Sequence, residues 1–375
     1  MSDYFINQPS NEIPTGSTTE LLRTSRSLAY HAALPFYQSA PLVSLPHLAQ
    51  SLGVGQIYVK DEAFRFGLNA FKGLGVSYAV HQLLESRPEL ATFCTATDGN
   101  HGRAVAWAAR LANKKSQVFV PQDTTAHRIA AIEREGGTVT RVSGNYDQAC
   151  AAAELASRQV GWQLVQDTAW SGYEEIPGQI MAGYLTHFQE LETTLHPLPS
   201  PKVDLVFLQA GVGSWAGAAV WYYLHRYGRQ RPKLVIVEPS EAAGILASFR
   251  AGRRVSPVGS YQTIMAGLNC GIPSLIGWDI LQNGTDATLG IGDEYAKQAM
   301  RALFYPTGTD ARVVAGESGA AGLAGLLALL TEPKLLALKA ELQLSEKSAV
   351  LLFNTEGATD PDRFAQIVGT GHRGQ

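Results

Sequence analysis

Lys60-Asp61-Glu62-Ala63-Phe64-Arg65-Phe66-Gly67-Leu68-Asn69-Ala70-Phe71-Lys72 follows a short apolar run, Ile57-Tyr58-Val59, and leads into a helical pattern. The spacing predicts a strand-to-helix passage, with Asn69 as the helix cap and Lys72 in the first turn. A lysine there lies at the positive end of a helix dipole, which disfavours its protonated form. Partial burial between Phe71 and Leu74 pushes the same way. A neutral amine so placed can attack a carbonyl and form a Schiff base. A first-turn lysine that merely points into solvent fits the same stretch, so the rest of the chain has to decide.

On both sides of this segment, short apolar runs alternate with helical patterns. Downstream, 91–97 reads as a strand, 101–112 as a helix, 116–121 as a strand, 125–135 as a helix and 137–142 as a strand. A helix over 146–160, a strand over 162–166 and a long helix over 176–195 follow. Buried parallel strands read as continuous apolar runs, and these do. After the proline-rich linker signal His196-Pro197-Leu198-Pro199-Ser200-Pro201, the alternation resumes with strands at 203–209 and 233–238. Late in the chain come a helix over 317–330 and a strand over 349–353. The expected fold class is α/β, with two open twisted α/β lobes: a smaller one at 76–195 inserted into a larger one made of 1–75 and 196–375.

The bulk composition narrows the function. A chain of 375 residues, 45% hydrophobic, can bury a large core. A formal net charge of -3 with scattered lysines and arginines gives no reason to expect nucleic acid as a partner. Cys94, Cys150 and Cys270 show no metal-ligand spacing, and an odd, sparse set of cysteines suits a reducing compartment. The polar N-terminus lacks the apolar core of a signal peptide, and no apolar run approaches the roughly 20 residues of a membrane span. The expectation is a cytoplasmic protein that neither holds a metal nor meets a membrane.

In open α/β sheets, ligands bind beyond the carboxyl ends of the strands, and the chemically suggestive residues fall there. One strand ends in Asp98-Gly99-Asn100-His101-Gly102, another in Asp167-Thr168-Ala169-Trp170, a third in Gly211-Val212-Gly213-Ser214 and the last in Asn354-Thr355-Glu356-Gly357. The backbone amides of Gly211 to Ser214 could cradle a phosphate at a helix start. The same loop could be a tight packing turn, or a dinucleotide loop with Glu238 as its acidic partner. Asp98 and Asp167 could each be a loop acid or a cap. Asn100 offers both a donor and an acceptor, Glu317 reads as a helix-start acid, and Thr355 could donate a hydrogen bond or close a turn.

Together these segments resemble the fold type II pyridoxal-phosphate enzymes, the family of threonine synthase, serine dehydratase and the tryptophan synthase β chain. Within it they are most similar to the diaminopropionate ammonia-lyase branch. The matching stretches include Lys60-Asp61-Glu62, Ala70-Phe71-Lys72, Thr97-Asp98-Gly99-Asn100-His101-Gly102-Arg103, Gln166-Asp167-Thr168-Ala169-Trp170, Met265-Ala266-Gly267-Leu268, Gly316-Glu317-Ser318-Gly319 and Asn354-Thr355-Glu356-Gly357. They run in order over most of the chain.

The resemblance implies that pyridoxal phosphate lies in the cleft between the lobes, carried by Lys72. Asn100 would bond its 3′ oxygen, Gly211, Val212, Gly213 and Ser214 its phosphate, and Thr355 would lie at its ring nitrogen. Glu317 belongs to the same implied cofactor set. The implied enzyme is a carbon–nitrogen lyase and a homodimer, taking a small amino acid, 2,3-diaminopropionate, to pyruvate and two ammonia. Another β-eliminating lyase, such as a serine or threonine dehydratase, is the alternative. Amide ion is a poor leaving group, so the β nitrogen must leave protonated, and an acid beside it answers that need. The implied roles are Lys72 as base for the L isomer, Asp98 as base on the opposite face for the D isomer, and Asp167 as the group holding the β ammonium. Val212 and Trp215 depart from the family's more glycine-rich phosphate loop, and Trp215 suggests a bulkier wall.

Overall fold

The computed structural model describes residues 2–97, 99–195 and 203–369. The linker signal at 196–201, residues 370–375 of the C-terminal tail, and Asp98 lie outside the described residues. Among the described residues, eleven strands form two sheets: β1 (Asp3–Ile6), β2 (Leu42–Ser44), β3 (Gln56–Asp61), β4 (Thr92–Ala96), β5 (Lys115–Pro121), β6 (Thr138–Val142), β7 (Gln163–Leu164), β8 (Leu205–Gln209), β9 (Lys233–Pro239), β10 (Ala287–Ile291) and β11 (Ala349–Asn354). The larger sheet has the order β1-β10-β9-β8-β11-β3-β2 and the smaller the order β6-β5-β4-β7. The smaller sheet is parallel throughout. In the larger sheet only the edge strands β1 and β2 run antiparallel.

The apolar runs behave as parallel strands covered on both faces should: β8, β10 and β11 are buried at every position. Strand β7 is shorter than the run over 162–166, because beyond Leu164 the chain leaves the ladder at Gln166 and Asp167. The helix placed at 317–330 begins only at Ala321, since residues 317–320 form a turn against the Glu356 segment. There Gly316 N–H donates to the Glu356 carbonyl and Ser318 N–H to Glu356 Oε1.

Both sheets present a switch point. In the smaller one, β5 and β6 lie on one side of β4 and β7 on the other. In the larger one, the chain runs outward through β8, β9 and β10, then returns to place β11 between β8 and β3. The carboxyl ends of β3, β8, β11, β4 and β7 are therefore where a crevice is expected. The helix Lys72–Ser86 joins the two sheets and crosses the helix Glu175–Leu195 at glycines. A Cβ at Gly75 would stand 2.5 Å from Tyr184 Cε1, and one at Gly183 would stand 2.6 Å from the Leu74 carbonyl oxygen. No larger residue permits that approach.

Beneath Lys72 lies a sequestered ion cluster. Arg65 donates through Nε to Glu62 Oε2 at 2.7 Å, and through its two terminal nitrogens to Glu190 at 2.9 and 2.8 Å. Lys60 Nζ donates to the same Glu190 at 2.5 Å and to the Ala40 carbonyl at 2.6 Å. The side chains of Glu62, Arg65 and Lys60 are 0% exposed and that of Glu190 is 2% exposed. Burial pushes the Glu62 and Glu190 carboxyls up, but Arg65 outweighs it and both end below their ordinary value of 4.5. The cluster ties the segment before Lys72 to the helix Glu175–Leu195. It also holds a backbone in which Phe66 (φ 53°) and Asn69 (φ 54°) are left-handed, a conformation costing of order 1–2 kcal/mol per residue.

Glu190→Ala would leave Lys60 and Arg65 buried without that partner, so a loss of about 3–5 kcal/mol is expected in urea unfolding. Because both carboxyls titrate lower in the folded state, their contribution is present above pH 4.5 and lost as pH falls below it. An acid-unfolding titration of the wild type should show this dependence, and Glu190→Gln should weaken it.

Candidate active site

The crevice between the sheets encloses about 870 Å³ of atom-free space, counting the part that is open to solvent. Its wall includes Lys72, Asn100, Asp167, Gly211, Val212, Gly213, Ser214, Thr355 and Glu356. The candidates at five strand ends thus converge on one space.

Lys72 is the first residue of its helix, and Phe71, without any side-chain cap, occupies the cap position. The expectation for Asn69 does not hold. Its left-handed turn instead lets its carbonyl accept from Gly357 N–H, while Phe71 N–H donates to the Thr355 carbonyl at 3.1 Å. These bonds anchor the Lys72 segment to the end of β11. The lysine's charge state also differs from expectation. Burial works against the ammonium, but the Asp167 carboxylate hydrogen-bonds Lys72 Nζ and outweighs it, raising the lysine above its ordinary 10.5. An isolated helix-start lysine would be easier to deprotonate; this one has a carboxylate supplied by the opposite sheet.

Asp167 is held by its surroundings. Its carbonyl accepts from Ser214 Oγ at 2.5 Å, which ties it to the start of the helix Ser214–Tyr227. Burial pushes its carboxyl up, yet His101 and Lys72 outweigh this and leave it at about 2. His101 donates through Nε2 to the Val165 carbonyl at 2.9 Å if that nitrogen carries the proton, and burial keeps the ring below its ordinary 6.5. Tyr146 and Gln166 complete the surround: Gln166 Nε2 donates to the Tyr146 hydroxyl at 2.7 Å, and that hydroxyl stands 3.5 Å from Asp167 Oδ1. Tyr146 and Gln209 were not singled out in the sequence, and Gln166 entered only as the first residue of a matching stretch. Tyr146 follows Asn145, whose capping box with Gln148 starts a helix at the cavity rim. Gln166 and Gln209 are polar residues closing apolar runs, which is the available signal.

The loop after β8 has the features a phosphate requires. Gly213 is left-handed at φ 86°, and a Cβ at Gly211 would stand 2.9 Å from Cys270 Sγ. The first amides of the helix Ser214–Tyr227 have no acceptor within the helix and lie at its positive end. Trp215 is part of the cavity wall, as its position suggested. Its indole sits among Phe71, Phe188 and Phe353, where its N–H donates to His187 Nε2 at 2.7 Å. Asn100 Nδ2 donates to Glu356 Oε2 across the crevice. Thr355 Oγ1 accepts from Gln209 Nε2 at 3.0 Å. An amine, a glycine-shaped anion cradle, an amide and a hydroxyl around one cavity form a donor set that fits pyridoxal phosphate.

Two candidates have other positions. The Glu317 carboxyl is buried away from the cavity wall, 3.8 Å from Arg363 Nε, and burial together with the Glu356 charge raises it to about 7. Glu238 is no ribose-binding acid. Its carboxyl oxygens accept from Ile245 N–H and Leu246 N–H, both at 2.8 Å, capping the helix Gly244–Ala251 inside the core. Among the described residues, no single helix is long and apolar enough to cross a membrane.

Comparison with known proteins gives this geometry a context. The family described as "Pyridoxal-phosphate dependent enzyme" matches residues 33–352. A diaminopropionate ammonia-lyase of Salmonella typhimurium is 39% identical over 98% of this chain and 98% of its own length. Its Escherichia coli counterpart is 38% identical over 98% of this chain and 97% of its own. The crystal structure of the Escherichia coli diaminopropionate ammonia-lyase in complex with an aminoacrylate-PLP azomethine reaction intermediate matches with a TM-score of 0.90 at 37% identity, covering 99% of this chain and 98% of that one. The chain belongs to the pyridoxal-phosphate dependent enzyme family, on the branch it shares with the diaminopropionate ammonia-lyases.

Proposed function

We propose that this protein is a pyridoxal-phosphate-dependent carbon–nitrogen lyase that converts 2,3-diaminopropionate and one water to pyruvate and two ammonia. The observation that carries this reading is the contact between the Lys72 amine and an ionised Asp167 on the wall of the crevice. Near-full-length similarity to diaminopropionate ammonia-lyases supports it.

Bound pyridoxal phosphate supplies the electron-withdrawing system that makes the substrate's α proton removable. Gly211, Val212, Gly213 and Ser214 would hold the phosphate through backbone amides, Asn100 would meet the 3′ oxygen, and Thr355 would serve the ring nitrogen; all of them line the one cavity. Glu317 would serve the cofactor site only indirectly, through its neighbour Ser318, which lines the cavity. Lys72 would hold the cofactor, and its amine would take the α proton of the L isomer. Asp98 takes the α proton of the D isomer from the other face.

Asp167 has a different task. With a pKa of about 2 it is a carboxylate at neutral pH, so it holds a cation rather than delivering a proton. In the structure that cation is Lys72. When Lys72 is engaged, the carboxylate faces the β ammonium of the substrate, which keeps the β nitrogen protonated so that it departs as neutral ammonia. A hydroxyl leaving group has no charge for Asp167 to hold, which favours a diamino acid over serine.

The lobes are taken as 1–75 with 196–375 and as 76–195, in keeping with the confinement of β4 to β7 to the middle of the chain. The proposed setting is the cytoplasm, in keeping with cysteines of which none is in a disulfide. The proposed assembly is a homodimer.

Borohydride reduction of the yellow holoenzyme followed by peptide mapping should fix the label on Lys72; Lys72→Ala should abolish both label and colour and cost at least about 10³-fold in activity. Asp167→Asn should lower kcat/KM for diaminopropionate by about 10²–10³-fold while changing any serine activity far less, a contrast read by ammonia release from the two substrates. Asp98→Asn should lose turnover of the D isomer by about 10²–10⁴-fold and keep that of the L isomer, and equal losses would refute the division of labour.

A further inference from the structure

At the end of β8 the Gln209 side chain is buried against four acceptors. Its Nε2 lies 2.8 Å from the Phe353 carbonyl, 3.2 Å from each of the Ser318 and Gly319 carbonyls, and 3.0 Å from Thr355 Oγ1. Three of these are backbone carbonyl oxygens, which only accept, so the amide must present its NH₂ on this side. The opposite atom, Oε1, is left buried without a hydrogen-bond partner. An orphaned buried acceptor is costly, and a methionine of similar shape would avoid that cost.

The orientation decides the polarity of Thr355. Were Oε1 turned toward it, the hydroxyl would donate to Gln209 and be left to accept from the cavity. As built, Gln209 donates to the hydroxyl, and the Thr355 hydrogen is left for the cavity that this residue lines. A hydroxyl that accepts from an amide is also the stronger donor.

We propose that Gln209 is a positioning residue that sets Thr355 as a hydrogen-bond donor and thereby keeps the ring nitrogen of bound pyridoxal phosphate unprotonated. This rests on the reading of the cavity as the cofactor site with Thr355 at the ring nitrogen. An unprotonated ring withdraws electrons weakly, which suits an elimination in which the leaving group removes the charge at once. The charged groups on the same wall are Glu356, bound by Asn100, and Glu317 behind it. Neither is altered in the variants below.

The test is the ¹⁵N chemical shift of ring-labelled pyridoxal phosphate in the holoenzyme at neutral pH, for the wild type, Gln209→Met, Thr355→Val and the double variant. The wild type should give the signal of an unprotonated pyridine. Gln209→Met should move it toward the pyridinium position, and adding Gln209→Met to Thr355→Val should produce no further movement. A pyridinium signal in the wild type overturns the proposal and needs no variant to fold. If Thr355→Val moves the signal and Gln209→Met does not, the role of Gln209 is refuted while Thr355 keeps its place. If a bound, labelled cofactor responds to neither change, the ring-nitrogen reading itself fails.

Discussion

The Arg65 guanidinium, forked between Glu62 and Glu190 and excluded from water, is the constraint on which the rest of the site depends. It joins the residues leading to Lys72 to the helix Glu175–Leu195, and through that helix to the start of the phosphate-loop helix. The connection is physical: Glu62 Oε1 lies 3.4 Å from His187 Nδ1, and His187 Nε2 accepts from Trp215. A buried ion cluster is weak evidence of stability in itself, because desolvation offsets much of the attraction. Its better use is specificity. It fixes one arrangement of a strained turn, and the strained turn aims Lys72.

The second organising contact is Lys72 with Asp167. It brings an acid from the end of the smaller sheet to an amine on the helix between the sheets, so the charge of each depends on both sheets. Asp167 stays ionised despite burial because Lys72 and His101 stand beside it, and Lys72 stays protonated because Asp167 does. Such reciprocity suits a site that exchanges one ammonium for another: the carboxylate is matched to a cation throughout, and only the cation changes.

Much of the fold was legible because its signals are local. The helix at Tyr146–Val160 carries its own capping box and ends at the left-handed Gly161. The buried strands β8 and β11 are uninterrupted apolar runs. Strand β1 and the edge strand β2 were not legible, being short and only half-buried, and the partner of β1 lies far away in the chain. The early helix start placed at Glu317 failed for the same reason, since contacts with the Glu356 segment override local propensity there.

For the site, sequence by itself determined the inventory: a lysine before a helix, glycines after β8, acids and amides at strand ends, and an order of motifs that resembles one enzyme family. Residue type and short spacing carry that information, because backbone geometry at strand ends and helix starts is local. Only the tertiary structure decided the charge states and the hydrogen-bond directions. Lys72 reads as a neutral amine until Asp167 is brought beside it, the partner of the Trp215 indole is unknown until His187 is brought beneath it, and Gln209 reads as the last residue of a strand until three carbonyls dictate which way its amide must face. Electrostatic and hydrogen-bond partners lie wherever the fold brings them, and in this chain they come from segments more than ninety positions apart for Lys72 and Asp167.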